Sequence, residues 1–166
     1  MARKPGCMYH NIKQHAYTRR EYMGGVTLSR ITQFVLGNKT GKFPFQILLC
    51  SNENCQIRHT ALEAARVAAN RYLEKKVGLS DYRLSIYPYP HNVLRENKQA
   101  TGAGADRVSQ GMRKSFGKSV GTAARVKKGQ IIMKVETSER NFEFIRTALL
   151  KASSKLPPPC KIKIAS

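Results

Sequence analysis

The fold is decided by residues 60–78, which read TALEAARVAANRYLEKKVG. Thr60 and Glu63 have the spacing of a capping box, in which each side chain bonds the backbone amide of the other residue. Apolar residues then recur on one face at helical spacing: Ala61, Leu62, Ala65, Ala69, Tyr72 and Leu73. The Lys75-Lys76 pair suits a last turn, and Gly78 suits the position just beyond it. The stretch therefore predicts an amphipathic helix.

Segments rich in β-formers lie on both sides of this helix. They cover residues 31–36, 45–50, 82–87, 121–126, 130–135 and 160–164. The short spacing between 121–126 and 130–135 predicts that these two segments form a hairpin.

A second helix is predicted over 139–153, with Ser138 as its cap. Its predicted buried face is Phe142, Ile145, Leu149 and Ala152, with Phe144 and Ala148 beside it. The prolines at 157–159 prevent the helix from continuing.

The order of elements is β-β-α-β, a long insertion, and β-β-α-β again. This order predicts an α+β fold in which one mostly antiparallel sheet and two helices form a two-layer sandwich. The length of 166 residues fits a single domain, 1–166, with an extended N-terminal arm over 1–29 and a long internal loop over 88–120.

Positive charge dominates the composition. Thirty Lys and Arg stand against ten Asp and Glu, which gives a formal net charge of +20. The excess is spread along the chain and is greatest at the N-terminus and in residues 91–130, which hold nine cations and two acids. Such a protein repels itself, and a polyanion relieves that repulsion. Nucleic acid fits this distribution better than a membrane surface, for which the charge would gather on one amphipathic helix.

Several other function classes find little support. No segment approaches the ~20 apolar residues of a membrane span, and the N-terminus lacks the apolar core of a signal peptide. We therefore expect an intracellular protein with reduced thiols. Cys50, Cys55 and His59 have a spacing that invites a zinc site, but no fourth ligand is evident, so we expect no metal. The Gly102–Arg107 loop lacks the third glycine of a dinucleotide fingerprint, and we expect no cofactor.

The arm and the internal loop carry the residues suited to RNA. Tyr17, Arg19, Arg20 and Tyr22 interleave aromatic and cationic groups, which stack on unpaired bases and bind phosphates. Loops longer than ~15 residues are usually functional or disordered. This one combines six Lys and Arg with glycines at 102, 104, 111 and 117, which allow close approach to phosphates.

The sequence resembles the universal large-subunit ribosomal protein family, called ten-e in archaea and sixteen in bacteria, in its archaeal form. The segments that carry the resemblance are 17–26, 56–66, 93–98, 100–118 and 121–126, among them YTRREYMGGV, ATGAGADRVS and GTAARV. The resemblance covers nearly the whole chain.

The resemblance implies a non-enzymatic, cytoplasmic constituent of the large ribosomal subunit. It implies binding to large-subunit rRNA near the A-site tRNA and the peptidyl-transferase region, and it leaves P-site tRNA open as a further partner. Neighbouring ribosomal proteins are further implied partners, and we expect no homo-oligomer. Charge and resemblance together predict RNA contacts by Arg3, Lys4, Tyr17, Arg19, Arg20, Tyr22, Arg58, Arg95, Lys98, Arg107, Arg113, Lys114, Lys118 and Arg125.

Two alternatives belong to other classes. An RNA-modifying or nucleotide-dependent enzyme would need a pocket with a perturbed acid, base or nucleophile, and the few acids here mostly adjoin basic residues. A soluble RNA-binding factor would wash off ribosomes in salt, whereas an integral protein would sediment with the large subunit.

Overall fold

The computed structural model describes residues 5–165, without the side chains of residues 6, 7 and 165. Two predicted RNA contacts, Arg3 and Lys4, lie outside the described residues. Within them the strands are β1 (Val35–Gly37), β2 (Phe45–Ser51), β3 (Cys55–Arg58), β4 (Tyr82–Ile86), β5 (Asn92–Glu96), β6 (Lys118–Val126), β7 (Ile131–Thr137) and β8 (Cys160–Ala165). The α-helices are α1 (His59–Lys76), α2 (Ala105–Val108) and α3 (Phe142–Ser153). The α+β class is confirmed.

The strands form two antiparallel sheets. The larger has the order β1-β4-β7-β2-β8 and the smaller the order β3-β6-β5. In the larger sheet Val135 of β7 pairs with Ile47 of β2 on one side and Leu84 of β4 on the other. These three side chains are completely buried, because residues paired across neighbouring strands share one face of the sheet.

Helices α1 and α3 pack against each other and against the larger sheet. The stripe that α1 buries is Leu62, Ala65, Ala69 and Leu73, each completely buried. Burial of each leucine stabilises the fold by about 1.5–3 kcal/mol. The predicted packing of the two helices on an antiparallel sheet is therefore confirmed, but the strands form two sheets where one was predicted. No helix within residues 5–165 is long and apolar enough to cross a membrane.

The two ends of α1 differ in how well the sequence predicts them. The C-terminal end is as expected, since Gly78 has a φ of 92° and donates its N–H to the Leu73 carbonyl at 3.2 Å. The predicted capping box is wrong. Helix α1 begins at His59, directly after β3, and no side chain caps it. The Glu63 carboxylate instead accepts two hydrogen bonds from the Arg66 guanidinium, at 2.6 and 2.9 Å, because a cation one turn away is a stronger partner.

The second predicted helix begins later than expected. Ser138 precedes a 3-10 turn, Glu139–Asn141, and its side chain makes no capping hydrogen bond. Ala148 lies in the fully buried stripe of α3, while Phe144 stays 38% exposed. Phe142 is half-buried and packs edge-on against Phe45, with ring centroids 5.8 Å apart.

The predicted hairpin of 121–126 with 130–135 is wrong. Strand β6 pairs with β3 and β5 in the smaller sheet, whereas β7 lies between β4 and β2 in the larger one. The turn between them therefore carries the chain from one sheet to the other. Pairing β7 with two strands on both of its sides buries more apolar surface than a local hairpin would.

Strands β3 and β5 were not predicted, and their presence shortens the internal loop. The prediction placed the loop at 88–120, but residues 92–96 and 118–120 are paired strands. The loop proper covers 97–117. Strand β1 is also shorter than predicted, since residues 31–34 precede it without strand pairing.

Candidate nucleic-acid interface

The internal loop projects cations from the smaller sheet. It leaves the end of β5, contains the single turn of α2, and returns to the start of β6. Arg107, Arg113 and Lys114 are exposed, and none of them forms an ion pair with another residue in the range 5–165. Positive φ angles at four glycines, between 58° and 116°, let the backbone turn sharply between these cations.

Two more predicted cations meet at the base of the loop. Lys98 follows β5 and Lys118 begins β6, and both line a cavity of about 400 Å³ with Asn97 and Ser119. Both lysines are exposed. Glu96 also lines this cavity, so two lysines and one carboxylate meet where the loop joins the folded body.

An aromatic and cationic cluster joins the arm to the base of the loop. The Arg95 guanidinium carbon lies 3.6 Å from the centre of the Phe116 ring and 4.9 Å from that of Tyr17. Arg95 also donates to the Phe116 carbonyl at 2.8 Å. The two rings meet edge to face with centroids 5.7 Å apart. Tyr17 and Arg95 therefore contact side chains of the same protein, and these contacts join the arm to the base of the loop.

The arm is held along the smaller sheet rather than extending freely from it. The Tyr17 N–H donates to the Asn92 side chain at 2.8 Å, and the Tyr17 carbonyl accepts from the Val93 N–H at 2.9 Å. Arg125 donates to the carbonyls of Gln14 and, at 3.0 Å, His15. Arg125 was predicted to bind RNA, but its amino groups are engaged with the arm.

The remaining predicted residues of the arm face solvent. Arg19 and Arg20 are exposed, and Tyr22 is 73% exposed in the 3-10 turn Arg20–Tyr22. The structure therefore divides the predicted residues into two groups. One group holds the arm and loop on the body, namely Tyr17, Arg95 and Arg125. The other is available to a partner: Arg19, Arg20, Tyr22, Lys98, Arg107, Arg113, Lys114 and Lys118.

Arg58 lies at the N-terminus of α1, beside a cavity of about 830 Å³. The other cations that line this cavity, Arg30, Arg71 and Lys155, were not predicted as functional. The sequence allows Arg71 to be predicted as a surface cation, because it lies on the polar face of α1. Arg30 and Lys155 could not be predicted beside it, because only the fold brings them to that helix.

The cysteines do not gather with His59 into a ligand set. Among the described residues, no three His, Cys, Asp or Glu side chains are placed to hold a metal ion. Cys50 and Cys55 are buried free thiols. Burial raises the pKa of Cys55 to about 11, which keeps it protonated at neutral pH. His59 Nδ1 accepts a hydrogen bond from the Arg30 N–H at 3.0 Å.

These features define a class: a basic antiparallel α+β protein that presents cations on an arm, a glycine-rich loop and a helix N-terminus. A family model described as ribosomal protein L16p/L10e matches residues 12–163. The chain belongs to this family, whose members are structural proteins and not enzymes.

Individual relatives match over almost their whole length. The large ribosomal subunit protein uL16 of Methanocella arvoryzae is 56% identical over 164 residues, which are 99% of this chain and 95% of the relative. The protein of the same description from Methanoculleus marisnigri is 56% identical over 98% of this chain and 95% of its own length. That of Thermoplasma acidophilum is 54% identical over 99% and 93%. The archaeal resemblance predicted from the sequence is confirmed.

Proposed function

We propose that this chain, as a structural constituent of the large ribosomal subunit, binds large-subunit rRNA through its arm, its 97–117 loop and the surface between them. The exposed cations of the loop are the observation that carries the proposal. Its cations are exposed and unpaired within the described chain, and its glycines let the backbone approach a phosphate closely. A loop so poor in buried apolar contacts gains little from ordering on its own body and much from contact with a polyanion.

The proposed site lies beside the A-site tRNA and the peptidyl-transferase region. This placement comes from the family resemblance, in which the internal loop reaches toward the tRNA acceptor ends. Phosphate contacts fix the register and orientation of a protein on a nucleic acid. In this role the protein orders rRNA helices and helps to position tRNA, while the RNA carries out the chemistry. P-site tRNA is a further candidate partner of the protein.

In this proposal some of the predicted residues hold the arm and the loop on the body, and the others bind RNA. Tyr17, Arg95 and Arg125 fix the direction in which the arm and the loop leave the body. Arg19, Arg20 and Tyr22 are then presented on the arm, and Lys98 with Lys118 at the base of the loop. A fixed scaffold lowers the entropy that binding must overcome. The whole of 1–166 acts as a single rRNA-binding domain in this proposal.

Neutral variants of the loop test the proposal. The triple substitution Arg107→Gln, Arg113→Gln, Lys114→Gln removes three charges that we assign to phosphate contacts. Affinity for a large-subunit rRNA transcript should fall, and the slope of log affinity against log salt should decrease by about two. The control substitutes Arg146, Lys161 and Lys163, which lie on α3 and β8 of the other sheet. Equal affinities and slopes for the two triple variants would remove the loop from the RNA interface.

A further inference from the structure

Helix α1 begins without a capping side chain. Its N-cap residue, Arg58, has extended backbone angles and makes no side-chain hydrogen bond to the first turn, and the first turn contains no acidic residue. The first N–H groups of a helix lack partners within the helix, and together with the helix dipole they attract anions. The N-terminus of this 18-residue helix therefore supplies some of the donors of an anion-binding site.

The buried side chain of His59 supplies a second, independent feature. His59 is only 7% exposed. Its Nδ1 accepts the Arg30 N–H at 3.0 Å, so the ring proton of the neutral imidazole lies on Nε2, which is a donor. No residue in the described part of the chain accepts a hydrogen bond from Nε2. Nε2 is not among the fully buried atoms without a partner, so this nitrogen retains accessible surface and can donate to a ligand in the cavity that His59 lines.

The ring remains a neutral donor at physiological pH. Burial, and then the charges of Arg58 and Arg30, lowers the pKa of His59 below its usual value. Protonation would also place a hydrogen on Nδ1, and Nδ1 could then no longer accept the hydrogen bond from the Arg30 N–H.

Gly121 keeps the backbone of β6 close to these donors without covering them. A Cβ built on Gly121 would lie 3.4 Å from His59 Nε2 and 3.9 Å from Arg58 Nη2. The imidazole and the guanidinium therefore approach the same point of β6, where a side chain would contact both. Arg58 Nε is also buried without a partner among the described residues.

The surroundings favour an anion over a cation. Arg58 and His59 line the 830 Å³ cavity together with Arg30, Arg71 and Lys155. Glu63 is the acid in that lining, and its carboxylate is bound to Arg66 at 2.6 Å. Farther along α1 the lining residues Ala64 and Ala68 are short, so a polymer backbone can lie close to the helix.

We propose that the N-terminus of α1 binds one phosphodiester group of an RNA backbone, with Arg58, His59 Nε2–H and the first-turn amides as its donors. The inference rests on the proposed function and adds a site outside the arm and the loop. Charged hydrogen bonds from a guanidinium and from helix amides are the usual means of phosphate recognition.

Inorganic phosphate is the first probe. In the full chain labelled with 15N-histidine, added phosphate should shift the Nε2 resonance of His59, with sulfate producing the same shift. Gly121→Ala should abolish the shift without loss of fold, because φ at Gly121 is not left-handed and its new Cβ makes only ordinary contacts. An unmoved Nε2 resonance, or one that moves equally in Gly121→Ala, overturns the inference.

RNA binding is the second probe. Arg58→Gln should weaken binding to a large-subunit rRNA transcript about tenfold and reduce the salt slope by about 0.7–0.9. The control Arg146→Gln, on the outer face of α3, should do neither. If the wild-type chain binds rRNA and Arg58→Gln binds equally well, the inference fails and the proposed function stands. If the wild-type chain does not bind rRNA, both fail.

Discussion

Gly117 shows how a single residue closes the internal loop. Its φ is +81°, and a Cβ at this position would lie 2.7 Å from the Glu96 carbonyl carbon and 2.8 Å from the Asn97 nitrogen. The two ends of the loop therefore touch, backbone against backbone, where β5 ends and β6 begins. A side chain here would force the strands apart, because backbone atoms cannot give way as a flexible side chain does.

Gly117→Ala should therefore destabilise the smaller sheet. The left-handed backbone alone costs about 1–2 kcal/mol for a residue with a Cβ, and the clash adds to it. We expect a loss of about 2–4 kcal/mol in the free energy of unfolding, measured with urea. Gly111→Ala is the matched control, since Gly111 has a φ of +58° with nothing within 4 Å. Equal losses in the two variants would show that the close contact is not formed.

At this scale the sequence predicts residue types better than it predicts their partners. The sequence predicted RNA contacts for Tyr17, from the arm motif, and for Arg95, from the composition of the loop. Their observed partner is Phe116, 99 and 21 residues away in the chain. A guanidinium on an aromatic ring looks the same in sequence whether the ring belongs to the protein or to a base. Only the fold, which brings the arm across the end of β5, distinguishes the two.

At the scale of elements, residues 97–114 of the loop and the folded body depend little on each other. The apolar side chains that the loop adds between 98 and 114 are exposed, with Val108 at 80% and Met112 at 76%. The core instead lies between α1, α3 and the larger sheet, together with Ile57, Ala124 and Val126 of the smaller sheet. Apolar surface that stays in water contributes nothing to folding.

Replacing residues 97–114 with a short Gly-Ser linker should leave the protein folded. The thermal unfolding transition should stay within a few degrees of that of the wild type, because the closing contacts at 116 and 117 remain. Docking on the large subunit, measured by co-sedimentation, should survive, since the arm and body retain most of the positive charge. Peptide synthesis by subunits that carry the variant should slow.

Two results would contradict this account of the loop. Normal rates of peptide synthesis would show that the loop is a passive linker. Unfolding of the variant would show that the loop belongs to the core. A linker of equal length that restores the lysines and arginines separates the effect of charge from that of loop conformation.

The long, periodic elements were predictable and the short ones were not. Helix α1 and strands β2, β4 and β8 carry enough apolar residues to show their period. Strand β3 has four residues and runs directly into α1, so no turn residue marks its end. Strand β5 lies in a basic segment, and its pairing with β6 is non-local. The mistaken hairpin has the same origin, because spacing along the chain cannot reveal that neighbouring strands belong to different sheets.

For the whole molecule, the distribution of charge matches the architecture, with apolar residues in the core and cations on the surface. A net charge of +20 on 166 residues opposes compaction, yet the core is made of apolar residues and most of the cations lie on the surface. The sequence predicted this balance, because composition needs no knowledge of topology. It could not predict that the surface splits into an arm, a loop and a helix terminus, three regions that the smaller sheet holds together.

The salt dependence of rRNA binding tests the central claim most directly. Binding of the full chain to a large-subunit rRNA transcript is measured from low to high KCl. Seven of the predicted cations are exposed in the structure: Arg19, Arg20, Lys98, Arg107, Arg113, Lys114 and Lys118. Arg58 is half-buried and lines the cavity at the N-terminus of α1. Each neutralised phosphate contributes about 0.7–0.9 to the slope of log affinity against log salt. The account predicts a steep decline with a slope of about five or more, and an affinity that is independent of salt would contradict it.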